Sequence, residues 1–315
     1  MPAKHNKALL NQLLTMNVRK IDTFSGHRDS VYTIISDGST SGFYSAGADG
    51  FVIQWDLKKP DMGKLVARAG SSVYALCFDP ENNQLWIGQN FEGIQLLDVS
   101  SGQISKSIKI TTAAIFDIKI YKGKAIVALG DGVIVIIDIE SFAVQKHIKV
   151  SEKSIRTLAV NPETNELAVG DSSHNVHIFS LADFNLKQTI QSHTNSVFSV
   201  RYSPDHRYLL SMGRDAHVKV WDVANGYELI HNIAAHTYAI NHIDYSPDGG
   251  FFATCSMDKS IKVWDSRTFK LRKVIDRSRH AGHGTSVNKL LWSSYQDQLI
   301  SCSDDRTISV WEIQD

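Results

Sequence analysis

Apolar residues in this chain fall in short alternating runs, and the runs recur in a fixed order. Ser211 to Val223, SMGRDAHVKVWDV, shows the unit. An apolar strand leads into a tight acidic turn, and a strand alternating as HVKVW follows. Counted back from Trp221, Asp215 lies six residues earlier and Ser211 ten. The same spacing joins Thr254, Asp258 and Trp264; Ser301, Asp305 and Trp311; and Ser45, Asp49 and Trp55. The tryptophan position recurs as Trp55, Leu97, Ile137, Phe179, Trp221, Trp264 and Trp311, at intervals of 40 to 47 residues.

Each unit opens with a strand such as SVYTI, SVYAL, AIFDI, SIRTL, SVFSV, AINHI or SVNKL. Turns such as DPEN, NPET, SPDH and SPDG follow in several units, with a proline preset for the turn. A second strand, a third ending at the tryptophan position, and a more polar fourth complete the unit. Helical repeats would show a 3.6-residue period, which these runs lack. Four strands per repeat at this period belong to propeller blades. The expected fold is all-β: a closed seven-bladed propeller with four antiparallel strands per blade. The last unit reaches Asp315 without a fourth strand, whereas Asn17 to Phe24 fills that place ahead of the first unit. Pairing the two closes the ring and removes open edges. Residues 17–315 are thus expected to form the propeller. Residues 1–16 are expected to be a tail or a short amphipathic helix, with Leu9, Leu10, Leu13 and Leu14 on its apolar side.

The pairs Gly26-His27, Trp55-Asp56, Trp221-Asp222, Trp264-Asp265, Gly282-His283 and Trp311-Glu312 resemble the tryptophan-aspartate (WD) repeat family. The resemblance covers essentially everything from residue 17 onward. It implies a hydrogen-bonded line from Trp through Ser or Thr and His to Asp. Four units have the full set: His27, Ser45, Asp49, Trp55; His193, Ser211, Asp215, Trp221; His236, Thr254, Asp258, Trp264; and His283, Ser301, Asp305, Trp311. A catalytic Ser-His-Asp group would occur once, so four copies at one period read as structure. The middle units replace the line jointly. Ile87, Val127 and Val169 stand at the Ser position; Ala69, Thr111 and Ser151 at the His position; Leu97, Ile137 and Phe179 at the Trp position. A half-satisfied buried network costs more than an apolar interior, which accounts for the joint change. Asp131 keeps a turn role. Blades 2, 3 and 4 are expected to depart most from regular geometry.

Composition removes several alternatives. Basic and acidic residues balance at 33 each, so no global field favours nucleic acid or an anionic membrane. Cys77, Cys255 and Cys302 are too few for a disulfide framework. No apolar run reaches the roughly 18 residues of a membrane span, and the N-terminus makes a poor signal peptide. A cytoplasmic setting is the default. The pairs His280/His283 and His174/His177 lack the further ligands a metal needs. GADG and LGDG lack a phosphate-loop pattern. No metal and no cofactor is expected.

The resemblance also implies a docking face, with three positions per unit pointing to it. Two flank the first apolar residue of the opening strand; the third precedes the turn Asp. Mapped onto this chain they include Tyr32, Tyr74, Phe116, Arg156, Phe198, Arg214, Asn241, Met257, Asn288 and Asp304. Asn90 also falls in the set, although GQNFEG has no matching Asp. Aromatic and arginine side chains are the types enriched at binding hot spots. Tyr32, Tyr74, Phe116, Arg156 and Phe198 hold one equivalent position in five successive units, so an arc able to seat an apolar or acidic peptide is expected. The expected function is a non-catalytic platform for a protein or peptide partner, with no nucleic-acid or membrane partner and a monomer on its own. The alternatives are an enzyme or small-ligand binder at the channel mouth, and a nucleic-acid or phospholipid reader.

Overall fold

Seven four-stranded antiparallel sheets stand around a central channel in the computed structural model, which describes residues 16–314. The helix expected within 1–16 lies outside the described residues. Met16 is described, and it is buried in the core shared by blades 6 and 7. Blade 1 runs through Val31–Ser36, Gly42–Gly47, Phe51–Asp56 and Lys64–Arg68, from the channel outward. Blades 2 to 6 repeat this order, with inner strands Val73–Asp79, Ile115–Tyr121, Ile155–Asn161, Val197–Tyr202 and Ile240–Tyr245.

Blade 7 takes three strands from the C-terminal unit and its outer strand, Asn17–Phe24, from the other end of the chain. That strand pairs antiparallel with Ile308–Gln314, from Asn17 opposite Gln314 to Phe24 opposite Ile308. Arg19 fixes the join by donating from Nε and one terminal nitrogen to Glu312 Oε2, at 3.0 and 2.8 Å. Phe24 ends the strand fully buried, its ring 5.4 Å from Trp55 and 5.9 Å from Phe43 in blade 1. One residue of the closing strand therefore ties the last blade to the first.

The core is a set of seams rather than a single mass. Each apolar cluster draws on two adjacent blades, as when Ile300, Cys302 and Val310 of blade 7 pack with Phe43, Ile53 and Trp55 of blade 1. Burying one such side chain contributes about 1.5–3 kcal/mol. The spacing seen in sequence is also the register. Trp55, Leu97, Ile137, Phe179, Trp221, Trp264 and Trp311 each pair with the residue two before the Ser position of their blade.

Blades 2, 3 and 4 keep this register and differ from the other four in hairpin length. Their inner hairpins extend one pair further, ending at Asp79 opposite Gln84, Tyr121 opposite Lys124 and Asn161 opposite Glu166. The expectation of irregular middle blades fails because the backbone ladder and the apolar seams set blade shape, and both persist without the polar line. The long interval before Trp311 has its own cause. A single helical turn, Arg277–His280, capped by Asp276, occupies the connection into blade 7.

Candidate docking face and channel

The polar line forms in all four blades that have its residues. In blade 7 Trp311 Nε1 donates to Ser301 Oγ at 2.8 Å; His283 Nε2 lies 2.9 Å from that oxygen, and His283 Nδ1 lies 2.8 Å from Asp305. Blades 1, 5 and 6 repeat it through Trp55, Ser45, His27 and Asp49; Trp221, Ser211, His193 and Asp215; and Trp264, Thr254, His236 and Asp258. The serine and threonine oxygens are fully buried, so they are bonded joints and not exposed nucleophiles. Burial pushes Asp215, Asp258 and Asp305 upward, but bonds and charge from their histidines and backbone amides outweigh it and hold them well below the usual carboxylate range. Burial lowers His27 and His236 despite their Asp partners.

The middle blades close the same corner differently. In blade 4 Ser151 and Ser173 pair at 3.1 Å, where other blades pair His with Asp. His177 instead bonds Asp171 at 3.1 Å and Thr189 at 2.9 Å inside the sheet. In blade 3 Asp131 accepts the Val133 amide at 3.3 Å, a turn role. Neither histidine pair gathers a ligand set: His283 belongs to the polar line, His280 lies in the helical turn, and His174 occupies a turn while His177 bonds within the sheet. Among the described residues no group of three His, Cys, Asp or Glu is placed to hold a metal.

One backbone bond places the predicted docking positions in every blade. The residue before the turn Asp, or its counterpart, donates its N–H to the residue opening the unit: Ala48 to Ser30, Asn90 to Ser72, Gly130 to Ala114, Ser172 to Ser154, Arg214 to Ser196, Met257 to Ala239 and Asp304 to Ser286, at 2.8–3.2 Å. Asn90 thus occupies its equivalent place, but its side chain is buried and accepts the Ile115 amide at 3.1 Å. Arg214, Met257 and Asp304 are exposed.

Tyr32, Tyr74, Phe116, Arg156, Phe198, Asn241 and Asn288 share a second feature. In each inner strand the ladder skips that residue and resumes at the next. A bulge re-aims a side chain and breaks strict alternation. Consecutive pairs such as Phe116 and Asp117, or Asn288 and Lys289, therefore both line the channel. All seven bulge residues remain partly exposed.

At the mouth these residues touch across blades. The Tyr32 and Tyr74 rings lie 4.6 Å apart and Tyr74 and Phe116 5.5 Å. The Arg156 guanidinium sits 4.1 Å from the Phe116 ring centre and 5.5 Å from that of Phe198, within cation–π range. Arg156 Nε donates to Ser172 Oγ at 3.1 Å. Burial chiefly, with Arg214 nearby, lowers its pKa, and burial chiefly raises that of Tyr32, with Tyr74 and Asp304 adding. The belt ends at the asparagines. Asn241 Nδ2 donates to Val287 O at 2.8 Å and Asn288 Nδ2 to Val31 O at 2.9 Å, stitching blades 6 to 7 and 7 to 1.

The belt forms the mouth of a cavity of about 780 Å³ whose deeper lining sequence reasoning missed. Asp117, Lys119, Arg201, His242 and Lys289 line it, one or three residues beyond the bulge positions. Charged residues at every second position of otherwise apolar strands, as in IFDIKI, were the available signal.

The WD domain, G-beta repeat model matches residues 18–56, 184–222, 227–265 and 276–312. Those are the four stretches that carry the complete polar line. The chain belongs to the WD-repeat family. Its whole length resembles an uncharacterised WD repeat-containing protein of Schizosaccharomyces pombe, at 24% identity over 98% of this chain and 51% of that protein. Periodic tryptophan protein 2 of Saccharomyces cerevisiae is 24% identical over 65% of this chain and 21% of its own length. Autophagy-related protein 16 of Arabidopsis thaliana is 25% identical over 63% and 40%. This WD-repeat chain thus spans about half or less of these relatives. Its fold matches the crystal structure of the WD40 β-propeller domain of Doa1 with a TM-score of 0.82, covering 94% of this chain and 97% of that one at 16% identity. WD-repeat propellers are generally non-catalytic and typically serve as protein-interaction scaffolds. No helix among the described residues is long and apolar enough to cross a membrane.

Proposed function

We propose that this WD-repeat protein is a non-catalytic scaffold that docks a protein or peptide partner on the face bearing its bulge residues. The observation that supports this reading is the continuous belt of Tyr32, Tyr74, Phe116, Arg156 and Phe198, stacked across five blades yet partly exposed. Such side chains supply large contact area, and the belt is already ordered, so little entropy is lost on binding. Phe91 beside the channel, Tyr238 and Met257 add exposed apolar surface, at 59%, 65% and 52%. The charges are asymmetric: Arg156 and Arg214 lie near each other, and Asp304 lies near Tyr32. An apolar peptide with an acidic residue toward the arginines fits this face. The three cysteines are free and buried, in keeping with a cytoplasmic setting.

Affinity capture from native lysate tests the reading, with wild type run beside Tyr32→Ala/Tyr74→Ala/Phe198→Ala. A thermal melt first establishes that the variant is folded. A partner retained by wild type and lost by the variant is the expected result. Equal retention by both overturns the assignment of this face.

A further inference from the structure

Among the described residues, the channel presents hydrogen-bond donors that have no bonded acceptor. Among the described residues two carboxylates engage the channel's cations, Asp117 in its lining and Asp244 beside it, and both are satisfied. Asp117 Oδ1 accepts from Lys119 Nζ at 2.9 Å and from the Ile118 amide at 2.9 Å; its Oδ2 accepts the Leu158 amide at 2.9 Å. Asp244 Oδ1 accepts from Arg201 at 2.9 Å and Oδ2 from the Trp292 amide at 2.8 Å. Among the described residues Lys289 has no carboxylate of its own. Its ammonium donates to the neutral Thr33 Oγ1 at 2.8 Å and shares the field of Asp117 with Lys119. His242 Nδ1 accepts the Leu290 amide at 3.3 Å, which places the proton of the neutral ring on Nε2. Among the described residues, Nε2 of His242 and the terminal nitrogens of Arg156 have no bonded acceptor.

Four cations, Lys119, Arg156, Arg201 and Lys289, therefore line one cavity against two carboxylates already engaged. Low-dielectric walls focus such an excess of positive charge. We propose that the channel is a binding site for a small oxyanion carrying two or more charges, of the phosphate or polycarboxylate class, held chiefly by Lys289 with His242 Nε2 and Lys119 beside it. The 780 Å³ cavity is of the size of small-ligand sites and opens at the aromatic mouth. Burial, with Lys289, Arg201 and Lys119 around it, keeps His242 well below its ordinary pKa, so it acts as a neutral donor near pH 7. The belt lines the mouth of the same cavity, and the anion site lies deeper along the inner strands, at Lys289, His242 and Lys119, so it does not depend on the docking reading.

Isothermal titration calorimetry at constant ionic strength tests the site with two probes, pyrophosphate and citrate. Wild type is expected to bind at least one of them saturably, one per chain; which one is bound tells phosphate from carboxylate preference. Lys289→Met is expected to weaken binding at least about tenfold, because a charge-assisted bond is lost, and Lys289→Arg to retain it. No saturable binding of either probe, or equal affinity in Lys289→Met, overturns the proposal. Should Lys289→Met not fold, amine acylation of wild type read by mass spectrometry decides. The bound anion should slow modification of Lys289 and leave the exposed Lys153 unchanged, and equal rates at Lys289 with and without anion overturn the site.

Discussion

Blades 7 and 3 build the same four-stranded sheet around different interiors. In blade 7 a buried tryptophan, serine and histidine form a line that ends on Asp305. In blade 3 Ile137, Val127 and Thr111 hold those positions, and the seam is filled by side chains such as Trp86, Ile94 and Leu129. The ladder registers agree nonetheless. The polar line is thus one way of filling a blade corner and is not what shapes the blade. What matters is that the set be complete. Four blades keep every member, and two of the other three fill the corner from within. Blade 4 pairs Ser151 with Ser173, and blade 2 has the Gly70 amide donate to Gln89 Oε1 at 3.1 Å.

The largest effect comes from mixing the two kinds of interior. Ser301→Val places the blade-3 residue in blade 7 and strands Trp311 Nε1 and His283 Nε2, at a cost of about 3 kcal/mol by denaturant unfolding. The joint change His283→Thr/Ser301→Val/Trp311→Ile should cost about 1–3 kcal/mol less than the sum of its three single changes. Additive costs would break the comparison.

Acid should then act through the four line-bearing blades. Because burial lowers the folded-state pKa of His27 and His236, the unfolded chain takes up protons first below about pH 6.5. Their contribution is present above that pH and is lost as pH falls. Asp215, Asp258 and Asp305 are also depressed, so their contribution is present above about pH 4 and is lost below it. Denaturation midpoints from pH 8 to 3 should fall in these two windows, and Asp305→Asn should flatten the lower one. A midpoint constant from pH 7 to pH 4 would remove the histidines from the account.

Blade 4 sharpens the contrast, because its polar link runs outward to blade 5. Tyr227 OH donates to Glu166 Oε2 at 2.6 Å and lies 2.8 Å from Tyr202 OH, with Lys187 also bonded to Glu166. Tyr227→Phe should cost about 1–2 kcal/mol by thermal or chemical unfolding. The smallest effect is expected at Asp131, whose carboxylate accepts only the turn amide of Val133 among the described bonds, the bond from Lys149 going to its backbone oxygen. Asp131→Asn should stay within about 0.5 kcal/mol, whereas Asp305→Asn should exceed it by 1 kcal/mol or more. Equal costs would mean that Asp305 too is only a turn residue.

The sequence by itself determined the blade. A strand fixes its side-chain period at two, and a hairpin fixes which residues face each other, so Ser301 and Trp311, ten residues apart, had to meet. The seven units and the closing role of Asn17–Phe24 followed from counting such hairpins. Only the tertiary structure decided the belt and the channel. Tyr32, Tyr74 and Phe116 are 42 residues apart in the chain and become neighbours only when the ring closes and brings equivalent strands side by side. The bulge at each of them has no signature in alternation, because it is the place where alternation breaks. The same bulge turns Asp117, His242 and Lys289 into the channel, where Lys289 meets Thr33 from the far end of the chain. Spacing within a hairpin is set by local backbone geometry. Which charges share a lumen is set by the closure of the whole ring.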